Sequence, residues 1–277
     1  MSSDNVHDHA KAAVGDPDRE DVTDRLRVDG VSLELSGVKI LHDVSLAVEP
    51  GQTVGLLGAN GSGKSSLLNV VSGYYKPTAG AVFISGRDIA SCGPARIAAH
   101  RVGRSFQSIG KMSDLTVLEN VMLGLEPVWR SSSIAAVLGL PSSRRAEADA
   151  RLQASTIIDE FDLGGYEHKL LSACPYGVRK VADLLRSMVS KPKLLLLDEP
   201  TSGVSMEDRA GILELIRAWA ARTGCSTVVV DHDIEFVTSL ADSLVALVGG
   251  SVAAAGGSAE VLGNEDVIAT FLGTGKR

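Results

Sequence analysis

Cysteine, aromatic residues and long apolar runs are all scarce in this chain of 277 residues. Its three cysteines, Cys92, Cys174 and Cys225, are far apart and form no metal-ligand pattern, so we expect a reducing compartment and no disulfide. The longest apolar stretch, residues 134–140, contains Gly139 and is far shorter than the roughly 18 residues that suggest a membrane-spanning helix. We therefore expect a soluble protein that reaches a membrane only through a partner.

The chain also lacks an excess of positive charge. It has 27 Lys and Arg against 34 Asp and Glu, a net charge of -7, which argues against nucleic acid as a partner. Much of the acid lies in residues 1–24, where seven acidic residues face two basic ones. This stretch has few large apolar residues and no apolar centre of a signal peptide, so we predict a disordered acidic leader there. Residues 25–277 are then expected to form one domain.

The most informative segment is glycine-rich and lies between a short apolar run, residues 53–57, and a stretch with apolar residues at helical spacing. It matches the phosphate-binding pattern G-x-x-x-x-G-K-[ST] in full. The residues predicted to bind the phosphates of ATP are Gly58, Ala59, Asn60, Gly61, Ser62, Gly63, Lys64, Ser65 and Ser66.

This residue pattern suits a polyphosphate for physical reasons. Glycines let the main chain close round an anion, and the N-H groups at a helix N-terminus point towards it. Lys64 is predicted to reach the β and γ phosphates, and the Ser65 hydroxyl is predicted to ligate Mg²⁺. ATP and Mg²⁺ are the expected ligands.

A second motif is a run of four leucines, residues 194–197, followed by Asp198 and Glu199. An apolar strand of a parallel sheet would carry both carboxylates to the edge at which the phosphate loop opens. Asp198 is predicted to hold Mg²⁺, and Glu199 is predicted to orient or deprotonate the attacking water.

The pattern of apolar residues predicts the fold class. Alternating runs at residues 31–35 and 44–48 predict antiparallel strands, and residues 81–85 predict another. The middle of the chain is mostly helical, with Ser142 and Ser143 as expected caps of a long helix. Continuous apolar runs at residues 194–197, 227–230 and 244–248 are typical of a buried parallel sheet. The predicted fold is α/β, with an antiparallel β subdomain and a helical insertion at about residues 108–188.

From about Leu26 onward, the chain resembles the ATPase subunits of ABC transporters, which have a P-loop NTPase (RecA-like) core. Residues 104–107 match the family's Q-loop, and the resemblance implies that Gln107 ligates Mg²⁺ or the water and couples the site to a membrane partner. Residues 230–233 match the H-loop, so His232 is expected to contact the γ-phosphate. With Lys64 and Glu199, these two residues complete the catalytic set that the resemblance implies.

Three further segments resemble the ATPases of branched-chain amino acid importers and their amide-transporting relatives: residues 115–121, a spacer with Arg144 and Arg145, and residues 267–273. This implies an importer subunit for branched-chain amino acids or related amides, on the cytoplasmic side of the cell membrane. Expected partners are transmembrane permease subunits, a second ATPase subunit in a homo- or heterodimer and, indirectly, a solute-binding protein.

The chain departs from the family pattern in three places. The signature L-S-G-G-Q is replaced by residues 174–178, so Pro175 stands where a serine usually contacts the γ-phosphate in trans, beside Tyr176 and Gly177. Leu35 replaces the aromatic residue that stacks on adenine, and Ser205 replaces the usual Asp or Asn of the D-loop. These changes predict a slow ATPase or one half of an asymmetric heterodimer.

An exporter subunit and an ATP-binding partner with little hydrolysis are the alternatives. A DNA-repair or translation ATPase would be expected to have a coiled-coil insertion or two ATPase domains.

Overall fold

The structure is a computed structural model that describes residues 24–105, 113–125 and 141–272, without the side chains of residues 141–143, 271 and 272. The predicted leader up to residue 23, Gln107 and the last five residues lie outside the described residues.

The described residues form ten β-strands and nine α-helices. The strands are β1 (Leu26–Leu35), β2 (Val38–Val48), β3 (Thr53–Leu57), β4 (Ala79–Ile84), β5 (Arg87–Asp88), β6 (Val102–Arg104), β7 (Leu194–Asp198), β8 (Ser226–Val230), β9 (Ser243–Val248) and β10 (Ser251–Gly256). The helices are α1 (Lys64–Val71), α2 (Pro94–Ala99), α3 (Val117–Leu123), α4 (Pro141–Glu160), α5 (Tyr176–Met188), α6 (Met206–Thr223), α7 (Ile234–Leu240), α8 (Ser258–Leu262) and α9 (Glu265–Leu272).

Two sheets organise the fold. One is antiparallel, in the order β2-β1-β4-β5, and the other has six strands in the order β10-β9-β3-β8-β7-β6. In the six-stranded sheet β9, β3, β8, β7 and β6 run parallel, and β10 is an antiparallel edge strand. The predicted antiparallel strands and the three predicted parallel strands are confirmed.

The parallel strands read as continuous apolar runs because both of their faces are buried. Side chains alternate between two hydrophobic clusters, as the period of a strand requires. In β7, Leu195 and Leu197 join the cluster formed with helices α3 to α7, whereas Leu194 and Leu196 join the cluster formed with α1 and the antiparallel sheet. All four leucines are fully buried. The carboxyl ends of β3, β7 and β8 are therefore held at fixed positions by packing on both sides.

Helices occupy the described part of the interval in which a helical insertion was predicted. Thr116 and Glu119 form a capping box at the start of α3. The prediction that Ser142 and Ser143 cap the long helix is wrong, because α4 already begins at Pro141. Proline favours the first turn of a helix, since its φ is fixed near the helical value and its missing N-H has no partner to lose there.

Among the described residues, no helix combines the length and the apolar character needed to cross a membrane.

Candidate active site

The glycine-rich loop connects β3 to α1 and has the backbone conformations that its sequence predicts. Gly58, Gly61 and Gly63 have φ values of 153°, 79° and 102°, which lie in the left-handed region that favours glycine. A Cβ on Gly58 would lie 2.4 Å from the Leu247 carbonyl oxygen. Gly63 is the N-cap of α1 and has no side chain, so the first N-H groups of this helix are left for a ligand.

Lys64 lies inside this loop. Its Nζ donates hydrogen bonds to the carbonyl oxygens of Gly58, at 2.7 Å, and Ala59, at 3.0 Å, and the residue is only 6% exposed. Burial lowers the pKa of Lys64, and the nearby charges of Glu199 and Asp198 oppose that shift. The loop therefore contains a cation positioned by its own main chain.

A buried hydroxyl in the same loop fits a phosphate ligand. Ser62 Oγ is buried and has no hydrogen-bond partner in the part of the chain that the structure describes. A buried polar atom without a partner costs about 1–3 kcal/mol, so such atoms usually meet a ligand or water. Together with the free N-H groups at the start of α1, Ser62 makes the loop suitable for an anion with several oxygens.

The two oxygens of Asp198, at the end of β7, face different partners. Oδ1 accepts a hydrogen bond from Ser65 Oγ at 3.4 Å, and Oδ2 forms an ion pair with Arg104 Nη2 at 3.2 Å. The backbone N-H of Asp198 donates to Ser105 Oγ at 3.1 Å. Burial raises the pKa of Asp198, and Arg104 opposes the shift. The hydroxyl of Ser65 and the Oδ1 of Asp198 are oxygen donors of the type that Mg²⁺ prefers, so this pair fits a magnesium ion.

Glu199 has an unusual backbone conformation that is held from two sides. Its φ is 53°, a left-handed value that costs a non-glycine residue energy and often marks a functional site. Its N-H donates to the Val230 carbonyl oxygen at 2.7 Å, and its own carbonyl oxygen accepts from Lys180 Nζ at 2.9 Å. The side-chain Oε1 then lies 2.9 Å from His232 Nε2. The structure thus brings Glu199 and His232 into direct contact.

The loop that carries His232 is anchored by the two aspartates that flank it. Asp231 accepts hydrogen bonds from the N-H and the hydroxyl of Thr201, at 2.9 and 2.7 Å. Asp233 caps α7 by accepting from the Phe236 N-H, and it forms an ion pair with Arg209. The Phe236 hydrogen bond and Arg209 lower the pKa of Asp233. The segment after β8 is therefore fixed while the His232 ring stays half exposed, at 52% of its side chain.

The signature residues lie at the start of α5. Pro175 is the N-cap of this helix and provides no side-chain cap, and Tyr176 donates from its hydroxyl to the Ser202 carbonyl oxygen at 3.0 Å. Gly177 has free space around its Cα, since a Cβ there would meet nothing closer than 3.5 Å. The helix that Gly177 was predicted to open is therefore present, and its end is exposed.

Two other departures from the family pattern have local contacts. Leu35 is partly buried against the cluster formed with the antiparallel sheet. Ser205 caps α6, accepting from the Asp208 N-H at 3.2 Å and donating to the Asp208 carboxylate at 2.7 Å. Gln107 lies outside the described residues, so its role stays a prediction.

Three residues that support the site have no role predicted from the sequence motifs. Arg104 pairs with Asp198, Ser105 holds the backbone of Asp198, and Lys180 holds the backbone of Glu199. Lys180 could have been identified from the sequence, because it is a lysine among the apolar positions of an amphipathic helix. In the structure it is only 5% exposed.

The comparisons with known proteins agree with this geometry. A family model described as "ABC transporter" matches residues 41–202. The high-affinity branched-chain amino acid transport ATP-binding proteins BraF of Pseudomonas aeruginosa and LivG of Escherichia coli are each 28% identical over 248 residues, which is 90% of this chain and 97% of either relative. The sulfate/thiosulfate import ATP-binding protein CysA of Mesorhizobium japonicum is 32% identical over 90% of this chain and 68% of its own length.

Solved structures show the same fold. A nucleotide-free ATP-binding cassette from an ABC transporter superposes with a TM-score of 0.79 at 25% identity, covering 90% of this chain and 99% of the other. The ADP conformation of a second cassette has a TM-score of 0.77, also at 25% identity and with the same coverage. The predicted fold class is confirmed.

Proposed function

Because the chain belongs to the ABC transporter family, we propose that it is the ATP-hydrolysing subunit of an importer for branched-chain amino acids or related amides. The solute class rests on two similar proteins, BraF and LivG, whose names give branched-chain amino acid transport and which align over 97% of their lengths. Its partners would be permease subunits and a second ATPase subunit, with a solute-binding protein acting through the permease. The chain would then lie on the cytoplasmic face of the membrane.

The observation that carries the proposal is the convergence of Glu199 and His232, 2.9 Å apart, beside a phosphate loop that contains a buried lysine. Phosphoryl transfer requires positioning and charge neutralisation more than covalent chemistry. The main-chain amides of the loop and Lys64 would neutralise the phosphates of ATP. Residues 58–66 would thereby bind the substrate.

Ser65 and Asp198, with Gln107 by resemblance, would hold Mg²⁺. The ion would supply positive charge for the phosphate oxygens when bound. Arg104 holds the second oxygen of Asp198, which leaves the first one directed at Ser65. The chain's own contribution is thus an oriented carboxylate.

Glu199 would take part in the hydrolytic step. The oxygen of a water molecule attacks the γ-phosphorus, the bond from that phosphorus to the bridging oxygen breaks, and ADP leaves. Glu199 would accept the proton that the water loses or orient that water, and His232 would stabilise the γ-phosphate. The left-handed backbone of Glu199, fixed by Val230 and Lys180, keeps its carboxylate beside His232.

A second candidate function is an ATP-binding partner subunit with little hydrolysis of its own. Pro175 has neither a hydroxyl nor an N-H, so it lacks the donors of the serine usually found there. In a heterodimer, the better signature of the partner would complete the site formed by the catalytic residues of this chain. The signature of this chain would contribute little to the site of the partner.

The test is phosphate release by the purified chain and by Glu199→Gln. We expect the variant to keep ATP affinity and to lose at least 100-fold in turnover, because one general base is worth about 10²–10⁴-fold. Glu214→Gln is the matched control, since Glu214 is exposed and pairs with Arg217 outside the site. Unchanged turnover in Glu199→Gln would refute the role of Glu199.

The importer proposal has its own experiment. The chain is reconstituted with the permease that co-purifies from native membranes. Its ATP hydrolysis should become faster when an external solute-binding protein is added that is loaded with a branched-chain amino acid, such as leucine, or with a related amide. Stimulation by a solute on the cytoplasmic side alone would instead indicate an exporter.

A further inference from the structure

A second cavity, of about 750 Å³, lies at the edge of the parallel sheet opposite the phosphate loop. Strands β6, β7 and β8 begin at this edge, whereas the active-site residues follow their other ends. A strand of five residues spans roughly 15 Å, which separates the two sites. The volume lies within the range of about 300–1,000 Å³ that is typical of small-molecule sites.

The lining of this cavity is strongly cationic, although the whole chain carries a net charge of -7. Its basic members are Arg25, Arg101, Lys191, Lys193 and Arg222. Glu160 is the one carboxylate among the lining residues, and it pairs with Arg222 at 2.8 Å. Within the described ranges, the other four cations have no carboxylate at ion-pair distance, so about four positive charges there are uncompensated.

The fold itself brings these cations together. Arg25, Arg101 and Lys193 each occupy the position directly before a strand, namely β1, β6 and β7. The N-H of Lys193 donates to the Arg101 carbonyl oxygen at 2.7 Å, which joins the starts of two neighbouring strands. The guanidinium of Arg101 donates to the Lys191 carbonyl oxygen, also at 2.7 Å.

Backbone strain accompanies this arrangement. Arg101 and Lys191 have φ values of 64° and 49°, in the left-handed region that residues other than glycine rarely adopt. Such conformations cost energy, and strain of this kind is concentrated at ligand sites. Two strained cations facing one cavity are not needed for a simple turn, which glycine would serve better.

Arg25 provides a separate indication of a ligand. Its Nε is buried and has no hydrogen-bond partner among the described residues, while its Nη1 donates to Ser85 Oγ at 2.9 Å. A buried guanidinium N-H normally has an acceptor. The vacant donor and the unpaired lysines both call for an anion with several oxygens.

Part of the remaining wall is apolar, beside the polar side chains of Gln153, Thr156 and Thr223. Ile157 of α4, Val189, Pro192 and Trp219 of α6 line the cavity and are buried. A ligand that fits both features has an anionic head and a flat or aliphatic body. A single carboxylate would carry too little charge for four cations, whereas a phosphate monoester carries nearly two negative charges at neutral pH.

We propose that this cavity binds a small organic phosphate, at a site separate from the nucleotide site. The phosphate group lies among Arg25, Arg101, Lys191 and Lys193, and the apolar part packs towards Trp219. Because the cavity is lined by α4 on one side and by the strand starts on the other, the ligand connects these two parts of the molecule.

The test uses the full chain with Trp129→Phe, which leaves Trp219 as the single tryptophan, and 4-methylumbelliferyl phosphate as the probe. ADP and Mg²⁺, at the lowest concentration that saturates the phosphate loop, block that loop, and the titration is repeated without ADP, because ADP is itself an organic phosphate. We expect saturable quenching of Trp219 fluorescence, and at least tenfold weaker quenching by 4-methylumbelliferone, which lacks the phosphate.

Two lysine variants make the test specific. Lys191→Gln/Lys193→Gln should weaken probe binding at least tenfold, and both side chains are exposed, so folding should be unaffected. Lys39→Gln/Arg217→Gln changes the net charge equally at exposed positions outside the cavity and should change binding less than twofold. Glu160→Gln should tighten binding, because it removes the carboxylate that competes for Arg222.

Three results would overturn the proposal. One is the absence of saturable quenching in the full chain, and another is equal weakening by the cavity and control variants. The third is displacement of the probe by vesicles containing phosphatidylserine but not by soluble organic phosphates, which would assign the cations to a lipid surface.

Discussion

Arg104→Met is the substitution that most directly tests how Asp198, the carboxylate proposed to bind Mg²⁺, is held. The guanidinium of Arg104 pairs with Asp198 Oδ2 at 3.2 Å, and the two side chains are only 10% and 7% exposed. The same guanidinium donates to the Leu68 carbonyl oxygen at 3.2 Å and to Ser72 Oγ. Methionine would fill most of the space but leave a buried carboxylate without its counter-charge.

The expected cost follows from burial. Removing one partner of a buried ion pair typically costs about 3–5 kcal/mol, because the other charge stays buried and unpaired. We expect about 3 kcal/mol here, since Ser65 still donates a hydrogen bond to the Asp198 carboxylate. At roughly 2–4 °C per kcal/mol for a chain of this size, the melting temperature should fall by about 6–12 °C.

Urea denaturation of the ligand-free protein measures the free energy of unfolding, with Asp198→Asn and the double variant completing a cycle. The double variant should be less destabilised than the sum of the two singles by about 2 kcal/mol, because it no longer contains a buried unpaired charge. Arg217→Met is the control, since the Arg217–Glu214 pair is exposed and should contribute less than about 0.5 kcal/mol. A cost below about 1 kcal/mol for Arg104→Met, or strict additivity in the cycle, would refute the reasoning.

Two further predictions concern the phosphate loop and the helical region. Gly58→Ala should reduce nucleotide affinity at least tenfold in a fluorescent-nucleotide titration, because a Cβ would lie 2.4 Å from the Leu247 carbonyl oxygen; unchanged affinity would mean that the loop relaxes freely. Glu119→Ala should lower the free energy of unfolding by about 0.5–1 kcal/mol near neutral pH by removing the capping box with Thr116. Hydrogen bonds from Thr116 lower the pKa of Glu119 from its ordinary value of 4.5. The stabilisation is therefore fully present above pH 4.5 and is lost as the pH falls through the lower pKa of the folded state. The gap between wild type and variant should therefore narrow in acid, and a constant gap would contradict the assignment.

The sequence was sufficient for those parts of the site that depend on neighbouring residues. A phosphate loop needs its glycines, its lysine and the strand and helix on either side within one short stretch, so all of its features appear together in the sequence. The run from Leu194 to Asp198 likewise indicates a buried strand that ends in a carboxylate. Local pattern and burial coincide in both segments.

The parts that were missed involve pairs far apart in the chain. Arg104 and Asp198 are 94 residues apart, and they meet because β6 and β7 are neighbours in the sheet. Nothing in either local pattern shows that pairing, since strand order depends on how the whole chain packs. The cavity lined by Arg25, Arg101, Lys191 and Lys193 was not predicted for the same reason. A basic residue directly before each of three strands becomes visible in the sequence only when the strands are known.

The departures from the family pattern also look different once their contacts are known. Tyr176, next to Pro175, donates to the Ser202 carbonyl oxygen, and a Cβ on Gly203 would lie 2.8 Å from its hydroxyl oxygen. The signature and the D-loop of one subunit are thus in contact, and Ser205 at the end of that loop has become a helix cap. The backbone of Glu199 is held by Val230 and Lys180, and its carbonyl oxygen also accepts a hydrogen bond from the Ser202 N-H at 3.2 Å. We infer that the signature and the D-loop form one connected unit, with Leu35 apart from it, and that this unit meets the backbone of Glu199 through Ser202. Changes at Pro175 and Ser205 that leave Tyr176 and Ser202 in place would therefore weaken the signature offered to a partner subunit while the backbone contacts of Glu199 are kept.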